Sequence, residues 1–144
     1  MKTLDFVVSL RTFSIDVGAD EICATLALKP RWVHRLGEPR TNPAGLALGG
    51  VYKRSYCLFP ITREANEDLA DLLERMSEEL LKYQDLFLRI RAGGGRSEFF
   101  IGWYSTGNTG GTFGSSLLRR LGDLGIDLAL DVYGETETVR REGD

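Results

Sequence analysis

The sequence predicts an α+β fold: a four-stranded mixed sheet with helices on one face, ferredoxin-like or a variant of it. Three observations predict this. Short runs of alternating apolar residues are separated by segments of helical period. Their order reads strand, helix, strand, helix, strand, helix, strand, so that two strand-helix-strand units flank a long central helix. Helices so few cannot cover both faces of a sheet. With 144 residues the chain has the size of one domain, expected over residues 1–134, and that length buries about 68–70% of the surface of the unfolded chain. Residues 135–144 are polar and lack apolar periodicity, which predicts a frayed tail.

Phe6 to Phe13 reads as the first strand, because Phe6, Val8 and Leu10 alternate with Val7, Ser9 and Arg11. Val17 to Asp20 supplies a turn and a cap. A helix from Asp20 to Leu28 follows, with Ile22, Cys23 and Leu26 inward and Pro30 as its stop. Arg31 to Gly50 holds Gly37, Pro39, Pro43, Gly45, Gly49 and Gly50 and is read as a long irregular loop. Val51 to Ile61 reads as the second strand, with Tyr52, Arg54, Tyr56, Leu58 and Pro60 on one side.

The central helix is the strongest signal in the chain. From Asn66 to Ala92, Leu69, Leu73, Met76, Leu80, Tyr83, Phe87 and Ile90 recur four and three residues apart, with Leu72 beside them. Asn66 or Thr62 is placed to cap it and Gly93 to end it, while Asp71 with Arg75 and Glu78 with Lys82 form i,i+4 pairs. Its length predicts a break near Lys82 to Asp85. A rival reading makes Leu86 to Arg91 a strand with Gly93 to Gly95 as a hairpin loop, and it ranks second because the helical spacing runs through Phe87 and Ile90. Glu98 to Ser105 is the third strand, a glycine-rich loop leads to a short helix carrying Leu117, Leu118, Leu121 and Leu124, Gly125 stops it, and Ile126 to Tyr133 is the last strand.

Composition excludes several function classes. The net charge of −3 supplies no basic field, so a nucleic-acid partner is not expected. No stretch has the roughly 18 apolar residues of a membrane span, and the first residues lack a signal-peptide pattern, which predicts a cytoplasmic protein without a membrane partner. Cys23 and Cys57 lie among apolar residues with no CxxC spacing, as reduced core thiols do. One histidine and two separated cysteines make no ligand set, so neither metal nor cofactor is expected.

Several short motifs carry a family resemblance. They are Trp103-Tyr104-Ser105, the Gly107 to Gly111 loop, Leu117-Leu118-Arg119-Arg120-Leu121, Leu124-Gly125-Ile126-Asp127-Leu128 and Leu130-Asp131-Val132-Tyr133. Near the start stand Ser9-Leu10-Arg11, Asp20-Glu21-Ile22, Leu26-Ala27-Leu28-Lys29-Pro30 and Arg35-Leu36-Gly37-Glu38. Together they resemble the bacterial domain-of-unknown-function family numbered 4279, over nearly the full chain. The resemblance implies a small stand-alone bacterial domain and brings no assigned reaction, cofactor or catalytic residue. Tyr56 stands where that family usually has Trp, and Leu26-Ala27-Leu28 where it usually has Leu-Gly-Leu.

Candidate sites are few. Lys29, Arg31, Arg35 and Arg40 surround Trp32 and His34, with Glu38 close by. The plainer reading is a solvated, mobile loop whose Trp covers a core edge, and it ranks first because charge runs usually face water. The functional reading is an anion- or partner-binding loop anchored by Trp32. Gly107 to Ser116, with Gly110, Gly111 and Ser115, has the form of an anion-binding loop ahead of a helix. It lacks the lysine of a Walker loop and the spacing of a dinucleotide fingerprint, and a flexible turn capped by Ser115 explains it equally well. Asp127 and Asp131 share one face of the last strand, and the alternation makes that face the solvent side, with Ile126, Leu128, Leu130 and Val132 inward. No nucleophile with an oriented base is apparent. An open sheet face carrying Trp103, Tyr133, Asp131 and Arg11 would suit protein recognition.

The leading expectation is therefore a non-enzymatic protein-interaction module of the immunity or regulatory sort, with an unidentified protein partner. The alternative is a small-anion or phosphorylated-metabolite binder using the Arg31–Arg40 and Gly107–Ser116 loops. A homodimer is open as well, through an uncovered face or an unpaired edge strand.

Overall fold

The computed structural model describes residues 5–134; the expected tail at 135–144 lies outside the described residues. In chain order the elements are β1 (Asp5–Ser14), α1 (Ala19–Leu26), β2 (Trp32–His34), β3 (Pro39–Thr41), β4 (Ala47–Val51), β5 (Ser55–Ile61), α2 (Leu69–Leu80), a 3-10 turn at Leu81–Tyr83, α3 (Gln84–Ala92), β6 (Arg96–Tyr104), α4 (Ser115–Leu124) and β7 (Ile126–Tyr133). No helix among them is long and apolar enough to cross a membrane.

The sheet has five strands in the order β2-β5-β1-β6-β7, and β3 and β4 form a separate two-stranded sheet. The architecture is α+β, but the expected four-stranded, ferredoxin-like arrangement is corrected. β1 is antiparallel to both β5 and β6, and only β6 and β7 run parallel. The parallel pair is the one joined through a helix crossover, α4, as parallel neighbours require. The Arg31–Gly50 segment, expected as irregular loop, holds β2, β3 and β4. Two of these strands have three residues each and β4 is exposed along its length, so no apolar alternation marks them in the sequence. The expected strand over Val51–Ile61 divides at Tyr52–Arg54, its first residue belonging to the hairpin and the remainder to the main sheet.

One core lies on one side of the sheet. Phe6, Val8 and Leu10 of β1, Cys57 and Phe59 of β5, Phe99 and Ile101 of β6 and Ile126 of β7 join a single cluster with residues from all four helices. In each strand these positions are two apart, so they share a face. A fully buried ring such as Phe59 or Phe99 contributes about 1.5–3 kcal/mol by leaving water.

The central helix forms as its periodicity predicts, and Leu69, Leu72, Leu73, Met76, Leu80, Phe87 and Ile90 are buried. It breaks at Leu81–Tyr83, where the 3-10 turn advances about 120° per residue rather than about 100° and re-aims the stripe. Leu86–Arg91 is helical, which removes the strand alternative. Asp68, rather than Asn66 or Thr62, caps α2 by accepting the Asp71 N–H at 2.8 Å. Neither expected i,i+4 pair forms. Arg75 instead reaches back to Glu67, donating from Nε to Oε2 at 2.8 Å and from Nη2 to Oε1 at 2.9 Å. The same guanidinium donates to the Thr62 carbonyl at 2.9 Å, so it ties the entry loop to the helix. Glu78 lies 3.8 Å from Arg120 of α4. Gly95 directly precedes β6, where a Cβ would strike the Phe13 carbonyl oxygen, and only glycine fits so close an approach.

Candidate functional site

With the helices all on one side, the alternate residues of each strand form an open face, and strand pairing sets what stands beside what. One row runs His34, Tyr56, Phe13, Arg96; the next runs Trp32, Leu58, Arg11, Glu98. Towards the other edge, Asp131 stands beside Gly102 and Tyr133 beside Tyr104. Tyr104 and Tyr133 stack at 5.0 Å between centroids.

Phe13 is the centre of this face. The guanidinium carbons of Arg96, Arg54 and Arg11 lie 3.9, 4.9 and 5.5 Å from its ring centroid, and Arg11 also lies 4.0 Å from the Phe100 ring. Cations over an aromatic face gain from the ring quadrupole. They also shield Phe13, which is only 9% exposed although no helix covers it. Glu98 is the carboxylate of this cluster. It accepts from Arg11 Nε at 3.0 Å and from Arg96 Nε at 3.3 Å, and these two partners keep a buried charge satisfied.

The β3–β4 hairpin adjoins the β2 end of this face. Asn42 sets its turn, its side chain accepting the Leu46 N–H at 2.9 Å, and Gly45 takes φ +87°. Tyr52, just after β4, bonds through its N–H to the Glu38 carbonyl at 3.0 Å and stacks on His34 at 4.3 Å with 9° between the rings. A cleft of about 570 Å³ results, lined by Arg11, Phe13, His34, Arg40, Tyr52, Lys53, Arg54 and Tyr56 among others. A neighbouring hollow of about 520 Å³ is lined by Trp32, His34, Pro43, Leu48 and Tyr56.

The residues singled out in the sequence are dispersed over the molecule. Trp32 and His34 lie on β2; His34 lines both hollows and Trp32 only the second. Arg31 is exposed and donates its N–H to the Leu58 carbonyl. Arg35 pairs with Asp20 at 2.8 Å, which holds the Asp20 carboxyl below its usual range, by hydrogen bonding first and charge second. Glu38 contributes only backbone bonds. Trp103 is on the helix side, its indole donating to Thr109 at 3.3 Å, so Tyr104 takes the place expected for Trp103 on the open face. Gly110 and Gly111 line a different cleft, of about 530 Å³, with Phe6, Arg63 and Trp103. Ser115 is the first residue of α4 rather than its cap, which is Gly114, and it borders a further hollow with Arg119 and Arg120. Asp131 accepts from the Tyr133 hydroxyl, and Asp127 pairs with Arg91 at 2.9 Å.

The basic loop and the glycine loop therefore share no cleft. Leu130 and Val132 lie on the helix side as expected yet are 51% and 61% exposed, and of the expected inward set only Ile126 is buried. Arg40 belongs to the basic loop expected there, whereas Phe13, Tyr52, Lys53, Arg54, Arg96 and Glu98 carry no site signal in the sequence. The alternation of Tyr52, Arg54 and Tyr56 was visible, but nothing local tells that a hairpin turns back beside it.

His34 and Cys57 come from paired strands, yet their side chains take opposite faces of the sheet. Burial pushes the Cys57 thiol up to about 12, so it stays protonated. Among the described residues there is no cluster of three or more groups able to hold a metal ion.

Fold and surface together define a small α+β domain with one covered and one open sheet face. The chain belongs to the family described as Domain of unknown function (DUF4279), whose model matches residues 3–135. No curated protein and no solved structure matches it.

Proposed function

We propose that this domain is a non-catalytic recognition module, of the immunity or regulatory sort, that meets a protein partner through the open face of its sheet. One observation carries the reading: an uncovered face bearing Trp32, the Phe13 cluster and the Tyr104–Tyr133 stack. Aromatic and arginine side chains on an exposed surface are the residues that dominate protein interfaces. The protonated Cys57 and its separation from His34 by the sheet further support a role without thiol chemistry. The small-anion alternative through the two loops has less support, since those loops line separate clefts.

Co-purification tests the reading. Trp32 and Tyr104 are 46% and 43% exposed, so the double variant Trp32→Glu/Tyr104→Glu leaves the core intact. A tagged chain is expected to bring down a partner that this variant loses. Retention of the same partner by the variant, or a strictly monomeric species without any partner in mild salt, would overturn it.

A further inference from the structure

We propose that the cleft between β1, β5 and the β3–β4 hairpin holds an acidic segment of the partner protein, a deepening that rests on the recognition reading above. The chain as a whole is acidic, with a net charge of −3, yet the cleft is lined by Arg11, Arg40, Lys53 and Arg54 and by no carboxylate. Of these, Arg11 is paired with Glu98. Arg40, Lys53 and Arg54 form no ion pair among the described residues, whereas Arg35, Arg63, Arg75, Arg89, Arg91 and Arg120 elsewhere each have a carboxylate within 4 Å. Most arginines among the described residues have a carboxylate partner, and of the cations without one, three gather around one concave surface. Complementary charge at such a place steers and orients an oppositely charged partner.

The shape and source of the cations favour a peptide over a small phosphate. They come from three separate segments, β1, β3 and the β4–β5 link, a distribution suited to several carboxylates in a row. No helix N-terminus lines the cleft, so it lacks the convergent dipole of a phosphate cradle. Its walls are the stacked His34–Tyr52 pair and Tyr56, flat surfaces against which an extended chain lies while guanidinium groups grip its carboxylates.

The test is fluorescence anisotropy with a fluorescein-labelled Glu- and Tyr-containing peptide, against its Gln-for-Glu counterpart, and with inorganic phosphate and AMP as competitors. Lys53 and Arg54 are exposed, so Lys53→Glu/Arg54→Glu changes charge without opening the core, and thermal melting confirms that it folds. Binding of the Glu peptide is expected to weaken as salt rises and to fall by about tenfold or more in this variant, the loss of at least one charge-assisted contact. Arg119→Glu, on the exposed side of α4, is expected to bind as the parent does. Absence of Glu-peptide binding, equal binding by Lys53→Glu/Arg54→Glu, or saturable phosphate or AMP binding in place of the peptide would overturn the proposal. A co-purified partner lost by Trp32→Glu/Tyr104→Glu but kept by Lys53→Glu/Arg54→Glu would overturn the acidic-segment inference and leave the recognition reading standing; one kept by both removes both.

Discussion

The two faces of the main sheet are built from the same strands, residue by alternate residue, and they do different work. On the helix side, Phe6, Val8, Leu10, Phe59, Phe99 and Ile101 are buried in one cluster. On the other, Arg11, Arg54 and Arg96 surround a shielded ring, Phe13, Glu98 pairs with two of them, and Trp32 and Tyr104 stand elsewhere on the same face. The difference teaches that burial and surface chemistry are separable here by strand parity: a side chain one position along β6 passes from the hydrophobic interior to a charged surface. The largest expected effect tests that separation directly. Phe99→Ala, at a position with 0% exposure, is expected to cost about 4 kcal/mol. Tyr104→Ala, five residues on and 43% exposed, is expected to cost under about 1 kcal/mol. Urea unfolding of both variants measures the gap, and comparable losses would break the comparison.

A smaller effect sharpens it through pH. The covered layer is held at its end by Glu67, whose carboxylate takes both Nε and Nη2 of Arg75 and the Glu64 N–H. The arginine hydrogen bonds hold Glu67 at about 2, below the ordinary 4.5. A carboxyl depressed on folding stabilises the protein above its unfolded pKa and loses that contribution as pH falls towards the folded value. The parent is therefore expected to lose stability between about pH 4.5 and pH 2 that Glu67→Gln lacks already at neutral pH. The difference is expected to be on the order of 1 kcal/mol, because Arg75 borders solvent and the pair is screened. Asp20 and Glu21 are also lowered by arginine partners, so the difference between parent and variant across the titration, not the parent curve alone, isolates Glu67. Parallel curves would show that the clamp contributes nothing.

The same contrast explains what could be read from the chain. The covered layer is local in origin: a stripe at helical spacing and strands at period two announce themselves within a dozen residues, so β1, β7 and the broken central helix are legible with their inward faces, and β6 as a strand but not by its faces. The open-face cleft is assembled from positions far apart in sequence. Arg11 meets Glu98 and Phe100 only because β1 pairs with β6, and Tyr52 meets His34 only because the hairpin folds back. Three-residue strands leave too little pattern to detect, and sheet order, which decided against the ferredoxin-like arrangement, is a matter of long-range pairing. Trp103, expected on the open face, turns inward for a related reason: it and Tyr104 are adjacent aromatics, and only register decides which of the two faces the helices.

The smallest expected effect concerns the covered layer alone. α1 ends at Leu26, and Ala27 caps it with φ 53° and ψ 31°, donating its N–H to the Cys23 carbonyl at 3.0 Å. That left-handed conformation costs an L-residue with a Cβ about 1–2 kcal/mol, and no local signal in an alanine reveals it; the chain reads as helical on to Leu28. Glycine adopts the conformation freely, and the resembling family usually has glycine at this point. Against this gain stands the larger entropy of a glycine in the unfolded chain, about 0.4–1 kcal/mol. Ala27 is exposed, so its methyl forfeits little packing. Ala27→Gly is therefore expected to raise stability by roughly 0.5–1 kcal/mol, with Ala27→Val, β-branched at the same left-handed position, falling below the parent. Because α1 lies across the sheet from the cationic cleft, acidic-peptide binding should stay as it is in the parent. A thermal-melt series of the three proteins in which glycine gains nothing would mean that the cap is not held in the left-handed region, and a change in peptide affinity would show that the two faces are coupled.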